Sequence, residues 1–217
     1  MARYGILVDL NRCTGCMTCV IACKEENFTP PTVWWQRILE LESEPQDQIV
    51  YFRLACMHCD NPPCLPACPE KAIYRNPDGI VLIDHKKCQG HGECAKACPY
   101  GVIDMNPNED YFPEKATPYE HTQDKYRIHP AGKASKCTLC IHRIEQGKEP
   151  ACVASCPSKV MVFGDLDDLK SPIHRKLSKS VELLPSSGAK PRVFYVVPGD
   201  LSQQIEQRVM ENPHMER

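Results

Sequence analysis

The feature that most constrains the fold is a run of closely spaced cysteines near the N-terminus. Cys13, Cys16 and Cys19 fall within seven residues, and Cys23 follows one helical turn later. This is the spacing of the bacterial ferredoxin-type run, in which three cysteines hold one iron-sulfur cluster and the fourth reaches across to a neighbouring cluster. The run therefore predicts a partner motif elsewhere in the chain.

Three more ligand motifs follow the first run. In chain order they are Cys56, Cys59, Cys64 and Cys68; Cys88, His91, Cys94 and Cys98; and Cys137, Cys140, Cys152 and Cys156. A proline follows the last cysteine of each of these motifs, as in the ferredoxin-type run. The repeated pattern of three ligands plus one predicts four iron-sulfur clusters.

The third motif places a histidine where the first motif has its second cysteine. His91 lies between Gly90 and Gly92, whose backbone freedom would help to position an imidazole. In one interpretation, His91 is the fourth ligand of a 4Fe-4S cluster that also has three cysteines, as histidine replaces cysteine in Rieske centres. In the other, His91 only fills space, and the cluster is a 3Fe-4S species or takes an outside ligand. We favour ligation, because imidazole is an established iron ligand.

The short connection between the second and third motifs predicts which motifs share a module. Residues 69–87 contain the turn sequence Asn76-Pro-Asp-Gly79 followed by the strand sequence Ile80-Val-Leu-Ile-Asp84, which is a hairpin pattern. The second and third motifs should therefore form one two-cluster module, and exclusion pairs the first motif with the fourth. If the fourth ligand of each motif binds the cluster of the partner motif, four ligand sets are predicted. These are Cys13, Cys16, Cys19 and Cys156; Cys137, Cys140, Cys152 and Cys23; Cys56, Cys59, Cys64 and Cys98; and Cys88, His91, Cys94 and Cys68.

The cysteine content could also indicate zinc sites or disulfides. Fifteen cysteines and His91 make sixteen ligands, which is also the number that four tetrahedral zinc sites need. The spacing favours iron-sulfur clusters, because structural zinc sites usually use two separated pairs of ligands. Disulfides are not expected, because the four motifs use every cysteine. With 20 prolines and few aromatic residues, the fold should depend on metal-thiolate bonds.

The whole pattern predicts an α+β fold with two pseudo-symmetric modules like bacterial ferredoxins, each holding two clusters. An inserted β-hairpin and long loops are expected between and after the motifs. The predicted segments are residues 1–27 with 132–164 as the first module; 28–55 as the hairpin; 56–104 as the second module; 105–131 as a surface loop; and 165–217 as a C-terminal extension. Residues 201–217 of the extension could form an amphipathic helix for a partner or a frayed terminus.

Some side chains outside the ligand sets could also have a role. Trp34 and Trp35 are adjacent on a predicted strand, so at most one can join an exposed docking patch, and core packing is expected. His58 is enclosed by cysteines and is expected to donate to cluster sulfur rather than to ligate iron. His121 and His129 are expected to be solvated in the surface loop.

Composition and motifs exclude several functional classes. The formal net charge is −2 with no basic block, so a nucleic-acid footprint is absent. Neither a nucleophile-base pair nor a glycine-rich nucleotide fingerprint is recognisable, so the chain is not expected to be an enzyme on its own. A signal peptide is not expected, and no apolar run approaches the ~20 residues of a membrane helix. Membrane association should therefore go through a partner.

The four motifs, in this order, resemble a known family. The resemblance covers about residues 3–198, and the segments that carry it are Cys56-Met-His-Cys59, Pro62-Pro63, Cys98-Pro-Tyr-Gly101, Cys137-Thr-Leu-Cys140, Gly164-Asp-Leu-Asp167 and Pro191-Arg-Val-Phe194. The chain resembles the four-cluster ferredoxin-like β subunit of the dimethyl sulfoxide reductase family of molybdopterin oxidoreductases. Its C-terminal part is most similar to subunits that serve polysulfide, thiosulfate or arsenate respiration. His91 departs from the all-cysteine pattern of the family.

The resemblance implies a non-catalytic subunit of an oxidoreductase complex in anaerobic respiration. Such a subunit carries electrons between a molybdenum or tungsten bis-pterin catalytic subunit and a membrane quinone-reactive subunit or a soluble carrier. It also implies a location on the periplasmic side of the membrane, reached by co-export with the catalytic partner, with the cytoplasm as the alternative. A free-standing polyferredoxin is the second hypothesis, although the hairpin, loop and extension add surface that a compact carrier would not need.

Overall fold

The computed structural model describes residues 2–43, 48–107, 129–199 and 201–211, in which helices and strands are mixed as in an α+β chain. The strands are β1 (Tyr4–Asp9), β2 (Gln36–Ser43), β3 (Gln48–Ala55), β4 (Ile73–Arg75), β5 (Val81–Ile83), β6 (Asp104–Met105), β7 (Ala134–Ser135), β8 (Met161–Asp165), β9 (Val181–Glu182) and β10 (Val193–Val196). The α-helices are α1 (Thr18–Asn27), α2 (Glu93–Ala97), α3 (Ile141–Ile144), α4 (Ala151–Ser155) and α5 (Ser202–Glu211). No helix within the described residues has the length and apolar character needed to cross a membrane.

The largest sheet joins the N-terminal strand to distant parts of the chain. Its strand order is β8-β1-β10-β9, with β1 antiparallel to β8 and parallel to β10. Ile6, Leu7 and Val8 are buried on β1, which explains the unbroken apolar run, because a central strand has neighbours at both edges and is covered on both faces. Where β1 ends, the Asp9 N–H donates to the Val160 carbonyl at 2.8 Å. The first motif therefore starts beside the end of the fourth.

The hairpin predicted between the first and second motifs is confirmed as β2 and β3. The two strands pair from Gln36 opposite Ala55 to Ser43 opposite Gln48, and residues 44–47 between them lie outside the described residues. One face of β3 packs on the main sheet, where the ring centroids of Phe52 and Tyr195 are 4.7 Å apart. Side chains alternate along a strand, so the opposite face of β3 is turned toward the first motif.

The core packing expected of the tryptophans is confirmed for Trp35. Its side chain is buried, and Nε1 donates to the Ser135 hydroxyl at 2.7 Å. Trp34 is half-buried, and Lys24 Nζ lies 4.1 Å from its ring centroid, which is a cation–π contact. Each ring therefore has a partner within the chain.

The hairpin predicted between the second and third motifs is confirmed as β4 and β5. Asn76 Oδ1 accepts a hydrogen bond from the Ile80 N–H at 2.7 Å, and Gly79 has a φ of +75°, a conformation that glycine adopts without steric penalty. The turn thus connects the end of the second motif to the start of the third.

Of the segment 105–131, expected to be a surface loop, residues 105–107 and 129–131 are described, and Asn106 and His129 are buried. The loop was expected to start at Met105, but Met105 belongs to β6, which pairs with β7 over two residues and is too short to leave a periodic pattern. The solvated position expected for His129 is also wrong. His129 is 3% exposed, its Nε2 lies 2.7 Å from the Asn27 carbonyl oxygen, and burial lowers its pKa to about 4. His121 lies outside the described residues.

The C-terminal helix α5 packs on its own chain. Ile205 and Val209 are buried, and the helix closes over a cleft lined by Phe52 and Tyr195. The amphipathic helix expected in this segment is confirmed over residues 202–211, and the frayed end is not found there. Its apolar face covers the core of its own chain instead of a partner. Residues 212–217 lie outside the described residues.

Candidate metal centres

The first candidate site lies between the loop before α1 and the end of α4. Cys13, Cys16, Cys19 and Cys156 line one cavity. Burial raises the pKa of Cys13, and it raises that of Cys19 to about 11. Cys16 is exposed, and its hydrogen bond to the Thr18 hydroxyl lowers its pKa. The structure thus brings together the four cysteines of the first predicted ligand set.

The second candidate site lies where α1 packs on α4. It contains Cys23 from α1, Cys152 from α4, and Cys137 and Cys140 from the loop before α3. Burial raises the pKa of Cys23 well above the ordinary thiol value, and the charges of the other three cysteines add to the rise. The Asn27 amide nitrogen lies 3.7 Å from both Cys23 Sγ and Cys140 Sγ, so one side chain bridges the crossed ligand and its partner motif.

The third candidate site is built from the second motif and the last cysteine of the third. Cys56, Cys59, Cys64 and Cys98 line a second cavity. Pro62 and Pro63 lie in its wall, where their fixed φ angles stiffen the loop between ligands. Burial raises the pKa of Cys59, Cys64 and Cys98, and that of Cys64 reaches about 12.

The fourth candidate site is built from Cys68, Cys88 and Cys94. Burial raises the pKa of Cys94, and the next contributions come from Cys68 and Cys88, so these three cysteines lie together. The His91 side chain is 48% exposed, and its Nε2 lies 3.2 Å from Glu70 Oε1. Glu70 follows Cys68 by two residues, and sequence reasoning gave it no role.

The four sites follow one another in a single series. After burial, the charge of a cysteine in the next site also raises the pKa of one cysteine in each of three sites: Cys152 acts on Cys19, Cys56 on Cys137, and Cys94 on Cys64. Each of these pairs links one site to the next, so the order by motif is first, fourth, second, third. The site that contains Cys16 stands at one end of the series, and the site that contains Cys68, Cys88 and Cys94 stands at the other.

The donor atoms of these sites suit iron-sulfur clusters. Thiolate is a soft ligand that selects such clusters, and each ligand of a cubane binds a different iron, so the sulfurs surround a volume. The cysteine-lined cavities of the first and third sites have this arrangement. Within the described ranges, no three Cys, His, Asp or Glu side chains converge as ligands of a single metal ion. All fifteen cysteines are free of disulfides, as expected.

Two further polar side chains beside the cysteines have incomplete hydrogen bonding. His58 is fully buried, its Nδ1 accepts a hydrogen bond from the Val81 N–H at 3.2 Å, and its Nε2 has no partner in the described part of the chain. Burial lowers the pKa of His58 well below its ordinary value, so the ring is neutral and the proton is on Nε2. Arg53, which sequence reasoning missed, is buried between the first and second sites. A charged residue inside the apolar run Val50-Tyr-Phe-Arg-Leu54 was the signal that could have found it.

The two glycines that flank His91 provide a matched pair of substitutions. Gly90 and Gly92 both have positive φ, so alanine would be strained by about 1 kcal/mol or more at either. A Cβ on Gly90 would also collide with the Gly132 carbonyl oxygen, whereas one on Gly92 meets nothing within 4 Å. We expect Gly90→Ala to lower iron content and thermal stability clearly more than Gly92→Ala. Equal losses from both variants would contradict the close packing around Gly90.

Comparison with protein families finds iron-sulfur domains over all four motifs. The family described as "4Fe-4S dicluster domain" matches residues 48–117 and 112–166. The family described as "4Fe-4S binding domain" matches residues 4–25. Together these segments contain every cysteine of the protein.

Curated relatives match along nearly the whole sequence. The protein is 37% identical to the arsenate respiratory reductase iron-sulfur subunit ArrB of Shewanella sp., over 89% of its own length and 96% of the relative. It is 37% identical to one subunit of the tetrathionate reductase of Salmonella typhimurium, over 89% of its own length and 72% of the relative. It is 36% identical to one component of the polysulfide reductase of Wolinella succinogenes, over 89% of its own length and 94% of the relative.

Proposed function

This protein belongs to the family of iron-sulfur subunits of dimethyl sulfoxide reductase-type molybdopterin oxidoreductases, and on this basis we propose that it is the electron-transfer subunit of such a complex. It relays electrons between a molybdenum or tungsten bis-pterin catalytic subunit and a membrane quinone-reactive subunit or a soluble carrier. The observation that carries this proposal is the single series of four cysteine-rich sites through the protein. Catalysis belongs to the partner subunit.

Sixteen side chains hold the clusters in this proposal. When bound, each iron-sulfur cluster accepts or releases one electron. The chain contributes four ligands to each: Cys13, Cys16, Cys19 and Cys156; Cys137, Cys140, Cys152 and Cys23; Cys56, Cys59, Cys64 and Cys98; and Cys88, His91, Cys94 and Cys68. Two ferredoxin-like modules, residues 1–27 with 132–164 and residues 56–104, each hold two of these sets. The cysteine-lined cavities and the clustering of thiols support this assignment.

His91 is proposed as the fourth ligand of its site. Three 4Fe-4S clusters then have four cysteine ligands each, and the fourth 4Fe-4S cluster has three cysteines and one histidine. Its contact with Glu70 supports this role. Histidines that bind metal commonly donate their other ring N–H to a carboxylate, which fixes the tautomer and the ring orientation. With Nε2 directed at Glu70, Nδ1 is the nitrogen left for iron. The alternative for this site is a 3Fe-4S cluster.

The end of the series at Cys16 is proposed to face the catalytic subunit, as the family resemblance implies. Cys16 is the one exposed cysteine of the fifteen. Met17, which follows it, and Ile21, in the first turn of α1, are 46% and 60% exposed. Apolar side chains around an exposed ligand suit contact with another protein surface. The complex is proposed to sit on the periplasmic side of the membrane after co-export with the catalytic subunit.

Size-exclusion chromatography of the native protein tests the function. We expect the protein to elute in a complex with a large pterin-containing subunit. Elution as a lone, iron-loaded monomer from gently lysed cells would favour a free-standing polyferredoxin instead.

Iron analysis and spectroscopy test the ligand at His91. We expect close to sixteen irons per chain, because each predicted ligand set has four members. His91→Cys should lower one midpoint potential and leave the other three nearly unchanged, because a thiolate adds negative charge that disfavours the reduced state. Potentials would be followed by electron paramagnetic resonance.

Fifteen irons and a 3Fe-4S signal in anaerobically prepared protein would contradict ligation by His91. A potential that does not respond to His91→Cys would contradict it too. Stoichiometric zinc with little iron would contradict the whole assignment.

A further inference from the structure

Arg53 is a buried cation without a carboxylate partner. Its side chain lies inside the protein at 2% exposure, and in the described part of the chain it forms no ion pair. Three other arginines shielded from solvent are paired: Arg37 with Asp104, Arg143 with Glu26, and Arg192 with Asp60. A buried charge without a counter-charge is strongly destabilising. An anionic group must therefore compensate Arg53.

The groups that face Arg53 are cysteine sulfurs from two sites. Arg53 Nη2 lies 3.9 Å from Cys152 Sγ in the second site, and the arginine also lines the cavity of the first site. Its positive charge opposes the rise in pKa that burial causes at Cys19 and Cys23. The guanidinium is thus placed between the sites of the first and fourth motifs.

One hydrogen bond within the hairpin holds the Arg53 guanidinium, and one from the main sheet holds the Arg53 backbone. Arg53 Nε donates to Gln36 Oε1 at 2.8 Å across the β2–β3 pair, and the Tyr195 hydroxyl donates to the Arg53 carbonyl at 2.9 Å. Arg53 Nη1 has no hydrogen-bond partner in the described residues. Buried donors in proteins normally have a hydrogen-bond partner. We therefore infer that an acceptor for Arg53 Nη1 occupies the neighbouring cavity of the first site.

We propose that Arg53 is a shared counter-ion for the two clusters held by the first and fourth motifs, and that it raises the midpoint potentials of both. This inference rests on the proposed function, because the compensating negative charge belongs to thiolate-ligated clusters. A fixed positive charge in surroundings of low dielectric constant stabilises the state that carries one more electron. In the described residues, no sulfur of the second or third motif lies within hydrogen-bond distance of Arg53. Arg53 is therefore a positioning residue of the inserted hairpin that acts on one cluster pair.

Potentiometric titration of the intact complex, monitored by electron paramagnetic resonance, tests the proposal with three variants. Arg53→Met removes the charge, Arg53→Lys keeps it, and Arg12→Met removes a charge that is exposed at the edge of the first site, where it donates to the Ser158 carbonyl. We expect Arg53→Met to lower the equilibrium constant for reduction of both clusters at least tenfold, which is about 59 mV for a one-electron couple. Arg53→Lys and Arg12→Met should shift either potential much less, and the other two clusters should not move.

Iron and sulfide content of the same samples separates this inference from the proposed function. Absence of iron-sulfur clusters from the unmodified protein would contradict the proposed function itself. Full cluster content with unchanged potentials in Arg53→Met would contradict only the role of Arg53. If Arg53→Met fails to load the two clusters while Arg53→Lys loads all four, the need for the charge is supported. Equal loss in both variants would overturn it.

Discussion

The chain prepared without iron-sulfur clusters is expected to show no cooperative thermal unfolding, whereas the loaded chain unfolds in a sharp transition at much higher temperature. The physical reason is that the ligand thiols form much of the protein core. Cys19, Cys23, Cys56, Cys137 and Cys152 all belong to the main buried cluster, and burial keeps most of them from ionising without a metal. The secondary structure between them is short, with β6, β7 and β9 only two residues long.

Differential scanning calorimetry and near-ultraviolet circular dichroism would measure this effect. The clusters would be removed by oxidation with a chelator, and a sample taken through the same buffers without oxidant would serve as the control. Binding free energies of structural metals in small domains are about 10–16 kcal/mol, which equals or exceeds the whole stability of an ordinary domain. A cluster-free chain that retained a cooperative transition within a few degrees of the loaded chain would show that the polypeptide core is sufficient.

The sequence predicted those parts of the fold whose chemistry is local. The hairpin between the second and third motifs was predictable because Asn76 and Gly79 supply a side-chain acceptor and a positive φ at fixed turn positions. The hairpin predicted within residues 28–55 is likewise found as β2 and β3. The proximity of Cys13 and Cys156 was predictable for a different reason. In ferredoxin-type motifs the fourth cysteine reaches the cluster of a partner motif, so the motif itself predicts a long-range contact, which hydrophobic periodicity cannot do.

Features that depend on distant contacts were not predictable from the sequence. The burial of His129 depends on Asn27, which lies far away in the sequence and whose carbonyl oxygen lies 2.7 Å from the ring nitrogen Nε2. The parallel pairing of β1 with β10 and the packing of α5 have no local signal either. Arg53 shows the same limit. The sequence reveals a charged residue in an apolar strand, but it does not reveal which cysteines lie beside that residue in the fold. Functional residues of this kind are recognised only when the cavity beside them is known.

Cys16→Ser in the native complex is expected to prevent reduction of every remaining cluster by electrons supplied through the catalytic subunit. In the proposed arrangement, the exposed Cys16 is a ligand of the cluster at one end of the series, so electrons from the catalytic subunit would reach the other three clusters only through that cluster. A change to a group that merely supports a metal ligand reduces metal affinity or activity about 10–100-fold, and loss of the ligand itself should reduce electron flow by more than about 100-fold. Electron paramagnetic resonance after reduction through the catalytic subunit would measure it.

Cys88→Ser is the matched variant, because it removes one ligand at the opposite end of the series. In this variant the clusters of the first, fourth and second motifs should still be reduced through the catalytic subunit, while electron exchange with the quinone-reactive subunit or soluble carrier is lost. Both variants lose one ligand and both interrupt the complete path, so overall activity alone does not distinguish them. The set of clusters that becomes reduced does distinguish them, because it depends on which end faces the catalytic subunit. Reduction of the three remaining clusters in Cys16→Ser but not in Cys88→Ser would reverse the proposed orientation.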